Sequence, residues 1–167
     1  MMNDFPVPPF FQGYISLTGD DTIVGLLLEN GKEMLDVFEN LPESKWLYRY
    51  DSGKWSVKEL LQHITDTERV MAYRALRFSR NDKTPLPGFE QDDYVNALKI
   101  DHLDRPAMIE EWRSVREASI TFFRNLDPGL LSREGTASGN KLNVELLGRI
   151  IVGHTRHHLK ILREKYL

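Results

Sequence analysis

No cysteine occurs anywhere in the 167 residues, which removes disulfide frameworks, thiolate zinc knuckles and cysteine nucleophiles from consideration. Any metal bound by side chains must then be held by histidine and carboxylate. Excess positive charge is missing too: 22 lysines and arginines against 25 acidic residues give a net charge of −3. Basic residues are not clustered among aromatics, so no nucleic acid is expected as a partner. No apolar run approaches the ~18 residues that read as a membrane span, and no basic segment followed by an apolar one opens the chain. The expectation is a cytoplasmic protein without membrane contact. What the chain does have is 41% hydrophobic content over a length that suits one domain.

Residues 1–19 carry Pro6, Pro8 and Pro9 among Phe5, Phe10, Phe11 and Tyr14, which predicts an extended arm laid on apolar surface. The domain proper is expected over 20–167. Asp20 or Asp21 is a capping type, and Val24, Leu27, Leu28, Leu35, Phe38 and Leu41 then mark a first helix ending near Pro42. Ser56 and Glu59 make a capping box, with Trp55 and Leu60 spaced as a hydrophobic staple, and open a second helix that runs to about Arg80. A long crossover with Pro85, Pro87 and Gly88 follows, containing a short helical turn near Asp92 to Leu98. The third helix begins near Pro106 and stops at Pro128-Gly129. After a glycine- and serine-rich stretch from Ser132 to Lys141, Asn143 caps a fourth helix reaching roughly Lys165. No strand-like alternation of comparable length competes, so the predicted fold is an all-α four-helix bundle. The long link between helices 2 and 3 permits an up-down-down-up order, with helices 2 and 4 as antiparallel neighbours.

In the fourth helix, Val144, Leu147, Ile151, His154, His158 and Ile161 recur at spacings of three and four, placing two imidazoles one turn apart on the core-facing stripe. An unsatisfied polar group buried there costs roughly 1–3 kcal/mol. A shared divalent metal would satisfy both rings; serine hydroxyls or backbone carbonyls are the alternative. His63 lies about 10 Å along the second helix from its start, a level at which it can meet the other two. His63, His154 and His158 are therefore the candidate metal ligands, and three ligands with an open position is the catalytic rather than the structural pattern. His157 projects away from that stripe, and His102 precedes a helix start and is expected in solvent. Glu68 stands in an apolar column and needs a partner, either an arginine such as Arg163 or Arg149 or the chemistry of the site, where it would accept a proton. Asp66 has Arg69 three residues on and reads as a salt bridge, or as a proton carrier if the helix is rotated. Gly153 inside a helix points to close approach by another segment or a ligand.

In combination, Gly53-Lys54-Trp55-Ser56-Val57-Lys58-Glu59, His63-Ile64-Thr65-Asp66-Thr67-Glu68-Arg69, Tyr73-Arg74-Ala75-Leu76-Arg77, Pro85-Leu86-Pro87-Gly88-Phe89 and the Gly153-His154…His157-His158 ending resemble the DinB-like (YfiT-like) superfamily from Tyr14 onward. The resemblance implies an up-down-down-up bundle, a homodimer, and a metal held at the positions of His63, His154 and His158. It also implies chemistry on a small-molecule substrate: a transferase using a low-molecular-weight thiol against an electrophile, with metal-dependent hydrolysis as the nearest rival. A non-catalytic metal-binding helical module is the answer from another class. Zinc or nickel is the expected ion, with iron or manganese also compatible. Related sequences often carry Glu where this chain has Thr155. The crossover residues Pro85 to Tyr94 and the Gly135 to Gly139 stretch are expected to border the entrance.

Overall fold

A computed structural model describes residues 5–167. Its helices are α1 (Pro9–Ile15), α2 (Ile23–Glu39), α3 (Val57–Ser79), α4 (Gln91–Asn96), α5 (Arg105–Arg124) and α6 (Val144–Ile161), with one antiparallel hairpin of β1 (Glu134–Ala137) and β2 (Asn140–Asn143). The bundle consists of α2, α3, α5 and α6. Local sequence accounts for their starts. Thr22, rather than Asp20 or Asp21, caps α2 by accepting from the Gly25 amide at 3.1 Å. Ser56 and Glu59 form the predicted capping box on α3, Asp104 accepts from Ala107 at the head of α5, and Asn143 accepts from Leu146 at the head of α6.

The core divides into two apolar clusters with a polar layer between them. Along α2, Ile23, Leu26 and Leu27 belong to one cluster and Met34 and Phe38 to the other. Along α3 the order is reversed, from Leu60, Leu61 and Ile64 in the second cluster to Met71, Ala75 and Phe78 in the first. Helix α5 repeats the order of α3, and α6 repeats that of α2. The four helices thus run up, down, down and up. Helix α3 packs on α5 and α6, and α2 packs on the same two. Asn30, His63, Glu68, Arg116, His154, Thr155 and His158, all buried, fall where each helix passes from one cluster to the other.

Two segments differ from the sequence expectation. The arm is not wholly extended: Pro9 occupies the first turn of α1, where its fixed φ suits a helix, and Phe11 buries itself in the first cluster. Residues 1–4 of the predicted arm lie outside the described residues. The glycine- and serine-rich stretch is a hairpin whose turn residues, Ser138 and Gly139, have φ of 51° and 73°. Positive φ at both central positions is the turn geometry that matches the twist of a two-residue hairpin. The crossover joins its edge, with the Leu86 amide donating to Thr136 O at 2.9 Å and the Ser138 amide donating to Leu86 O at 3.1 Å. Among the described residues, no helix is long and apolar enough to cross a membrane.

Candidate metal centre and its cavity

Where α3 crosses α6, three imidazoles converge. His154 Nε2 stands 3.0 Å from His63 Nε2 and 3.1 Å from His158 Nε2. Burial holds the His63 imidazole down at about 4, and burial followed by the neighbouring rings holds His154 and His158 well below the usual histidine range. The rings are thus neutral at pH 7. Each Nε2 then has either one hydrogen or one lone pair, so His154 Nε2 can bond well with only one of its two neighbours. The other contact is left without a full hydrogen bond of its own. A cation removes that conflict, because all three nitrogens can offer lone pairs to it. With metal–nitrogen bonds of about 2.0–2.1 Å, ligands at 95–110° to one another lie about 3.0–3.4 Å apart, which the two observed separations fit. Among the described residues, His63, His154 and His158 are the group of histidine and carboxylate side chains close enough to share one ion.

Aromatic side chains fix the triad from two sides. The Trp55 ring lies 4.6 Å, centre to centre, from that of His63, and its backbone carbonyl accepts from the Tyr166 hydroxyl at 2.8 Å. Tyr14 of α1 sets its ring edgewise against His154 and His157, at 5.5 and 5.4 Å. Gly153 makes that approach possible, since a Cβ there would run into the Tyr14 carbonyl. His157 is half-buried beside the triad without joining it, and His102 is exposed. The His158 Nδ1 is buried without an acceptor among the described residues, whereas metal-ligating histidines usually hand that N–H to one.

The two acids singled out in the sequence stand elsewhere. Glu68 accepts from Arg116 Nε at 2.9 and 3.1 Å and from Arg116 Nη2 at 2.9 Å. Its partner is therefore on α5, not Arg163 or Arg149. Arg116 spends its remaining donors on Leu27 O, Asn30 Oδ1 and, at 3.4 Å, Thr155 Oγ1. This buried network holds both Glu68 oxygens and takes in Thr155. Asp66 lies on the α3 face toward α5, accepting from Gln62 at 3.1 Å with Arg69 at 3.5 Å, and burial leads in raising its pKa. Neither acid lines the cavity beside the triad.

That cavity, of about 530 Å³, has His63 and His154 in its wall. Phe10, Phe11, Tyr14 and Phe89 give it an apolar side, while Thr67, Arg74, Ser138 and Asn140 give it a polar one. Gly88 to Gln91 of the crossover and Ser138 of the hairpin border it, as the sequence led us to expect. Among the described residues its one carboxylate is Glu90, exposed at the rim. Thr67 and Arg74 were missed as site residues, although His63, Thr67, Met71 and Arg74 recur at spacings of four, four and three and so share one face of α3.

An up-down-down-up bundle with polar residues at mid-height on all four helices defines a class, and the comparisons agree with it. The chain belongs to the DinB superfamily, whose model matches residues 26–162, from the first turns of α2 to the end of α6. Among solved structures, YfiT from Bacillus subtilis, described as a probable metal-dependent hydrolase with an unusual four-helix bundle topology, aligns with a TM-score of 0.73. The alignment covers 85% of this chain and 82% of that chain at 17% identity, a likeness of fold. No curated protein matches the chain.

Proposed function

We propose that His63, His154 and His158 hold one divalent metal ion and that the chain is a metal-dependent enzyme acting on a small electrophilic molecule in the adjoining cavity. One observation carries this reading: three neutral imidazole nitrogens meet at ligand spacing beside a space of about 530 Å³. When bound, the ion supplies Lewis acidity that makes a thiol or a water nucleophilic near neutral pH. The side chains position and enclose. Trp55 and Tyr14 hold the rings of His63 and His154, and Phe10, Phe11 and Phe89 present apolar surface to the substrate. The Tyr14 hydroxyl, its pKa raised by burial, stays protonated and able to donate. Glu68 is held by Arg116 as a structural group in this scheme, and proton traffic falls to solvent or Glu90 at the rim.

A low-molecular-weight thiol is the first nucleophile we propose, with zinc or nickel as the ion. Water is the second, favoured by the description of YfiT as a hydrolase. The test is turnover of an activated ester and of a haloaromatic electrophile by metal-loaded protein, with and without added glutathione or a bacillithiol-like thiol. Thiol-dependent turnover lost in His154→Ala supports transfer; turnover without thiol, equally lost in that variant, assigns hydrolysis. Turnover that His154→Ala leaves unchanged contradicts both.

A further inference from the structure

Arg74 is 2% exposed, and its hydrogen-bond partners among the described residues are all uncharged. Its Nη2 donates to Pro87 O at 2.9 Å and to Ser138 Oγ at 2.8 Å, and its Nη1 lies 3.7 Å from Met71 Sδ. A guanidinium has five N–H donors, so Nε–H and one Nη1–H have no acceptor among the described residues. The other two buried arginines are compensated: Arg116 is paired with Glu68 at 2.9 Å, and Arg149 with Glu145 at 3.3 Å. Arg74 has no carboxylate within ion-pair distance among the described residues, and Glu90, though it borders the same cavity, is not paired with it. The Phe89 ring, 5.8 Å from the guanidinium carbon, gives only weak relief. A buried charge without a counter-charge is costly and is seldom kept without use.

We propose that Arg74 is the recognition residue for an oxyanion, a carboxylate or phosphate group carried by the substrate. The inference deepens the proposed enzymatic reading and rests on it for the word substrate. The ligand's acidic group supplies the missing counter-charge, and the guanidinium's fork suits two oxygens of one such group. Ser138 and the Pro87 carbonyl are positioning residues: they tie the fork to the hairpin and the crossover and so set its direction into the cavity. His63 and Arg74 share one face of α3 and line the same cavity, so a ligand held at Arg74 can reach toward the histidines. The substrate class is thus a small molecule with an anionic group and an electrophilic group.

The test is titration of wild-type protein, Arg74→Gln and His154→Ala with succinate, inorganic phosphate and the neutral succinamide, followed by amide NMR shifts, with metal content measured on each sample. Arg74→Met, which keeps the stem without the charge, stands in should glutamine impair folding. We expect succinate or phosphate to bind the wild type and His154→Ala alike, and Arg74→Gln about tenfold more weakly or worse, with succinamide binding none of them. The tighter anion names the group. Equal affinity for wild type and Arg74→Gln overturns the proposal, as does absence of binding by the wild type up to about 50 mM. Loss of binding in His154→Ala but not in Arg74→Gln also overturns it, by placing the anion at the histidines. Arg74-dependent binding in a wild type that takes up no metal upholds this inference while the enzymatic reading fails. Metal uptake without Arg74-dependent binding does the reverse.

Discussion

His63 and His154 face each other across the α3–α6 interface with their Nε2 atoms 3.0 Å apart, although 91 positions separate them in the chain. Burial makes this pair, with His158, a neutral donor set rather than a charged cluster. That neutrality has consequences for stability as well as for binding.

Lowering the pH should destabilise the metal-free protein. The His63 pKa in the folded chain is about 4, below its ordinary 6.5. Above 6.5 the ring is neutral in both states and contributes nothing to the pH dependence. Between 6.5 and 4 the unfolded chain takes up a proton that the folded chain does not, so stability falls as pH falls, by about 3 kcal/mol from His63 alone by pH 4. His154 and His158 shift in the same direction and add to the loss. Urea midpoints of metal-free protein from pH 7.5 downward measure this; a midpoint constant from 7 to 5 contradicts it.

Glu68 should prove structural. Glu68→Ala strands the Arg116 charge in the core and is expected to cost about 3–5 kcal/mol, leaving metal content unchanged. Replacing both partners, as Glu68→Leu with Arg116→Met, should recover most of that loss, since an ion pair and a well-packed apolar pair of similar volume are often equivalent. Chemical denaturation with metal analysis reads both. A Glu68→Gln protein of full stability that has lost turnover would instead restore the acid to the chemistry.

Gly153→Ala should act through the arm. The added methyl meets the Tyr14 carbonyl, a backbone atom that cannot move aside cheaply, and overpacking of this kind costs about 1–3 kcal/mol. In a chain lacking residues 1–19 the clash is gone, and the same substitution should stabilise by up to about 1 kcal/mol through helix propensity. The sign reversal between the two backgrounds, read from denaturation midpoints, is the expected result. Destabilisation of equal size in both would mean that Tyr14 is not what Gly153 accommodates.

Much of this architecture was legible because its signals are local. The Ser56–Glu59 box and the Asn143 cap set helix starts within one turn of chain, and the three-and-four spacing of His154 and His158 placed both on the buried stripe. The hairpin was not legible: Glu134–Ala137 and Asn140–Asn143 are too short and polar to alternate, and the Ser138-Gly139 turn was the sole cue. The arm helix escaped because its prolines were read as breakers, although Pro9 sits where a helix accepts one. The pairing of Glu68 with Arg116 depends on how α3 rotates against α5, which no spacing within one helix reveals. Arg74 stood in view as part of a motif, but its lack of a counter-charge is a property of the assembled core.

The central claim is most directly tested by metal content. Protein prepared without an affinity tag and exposed to zinc or nickel should retain about one ion per chain by elemental analysis. His63→Ala, His154→Ala and His158→Ala should each reduce this by tenfold or more while their circular dichroism stays helical. Retention unchanged in these variants, or no retention by the wild type, would contradict a metal site at the crossing of α3 and α6.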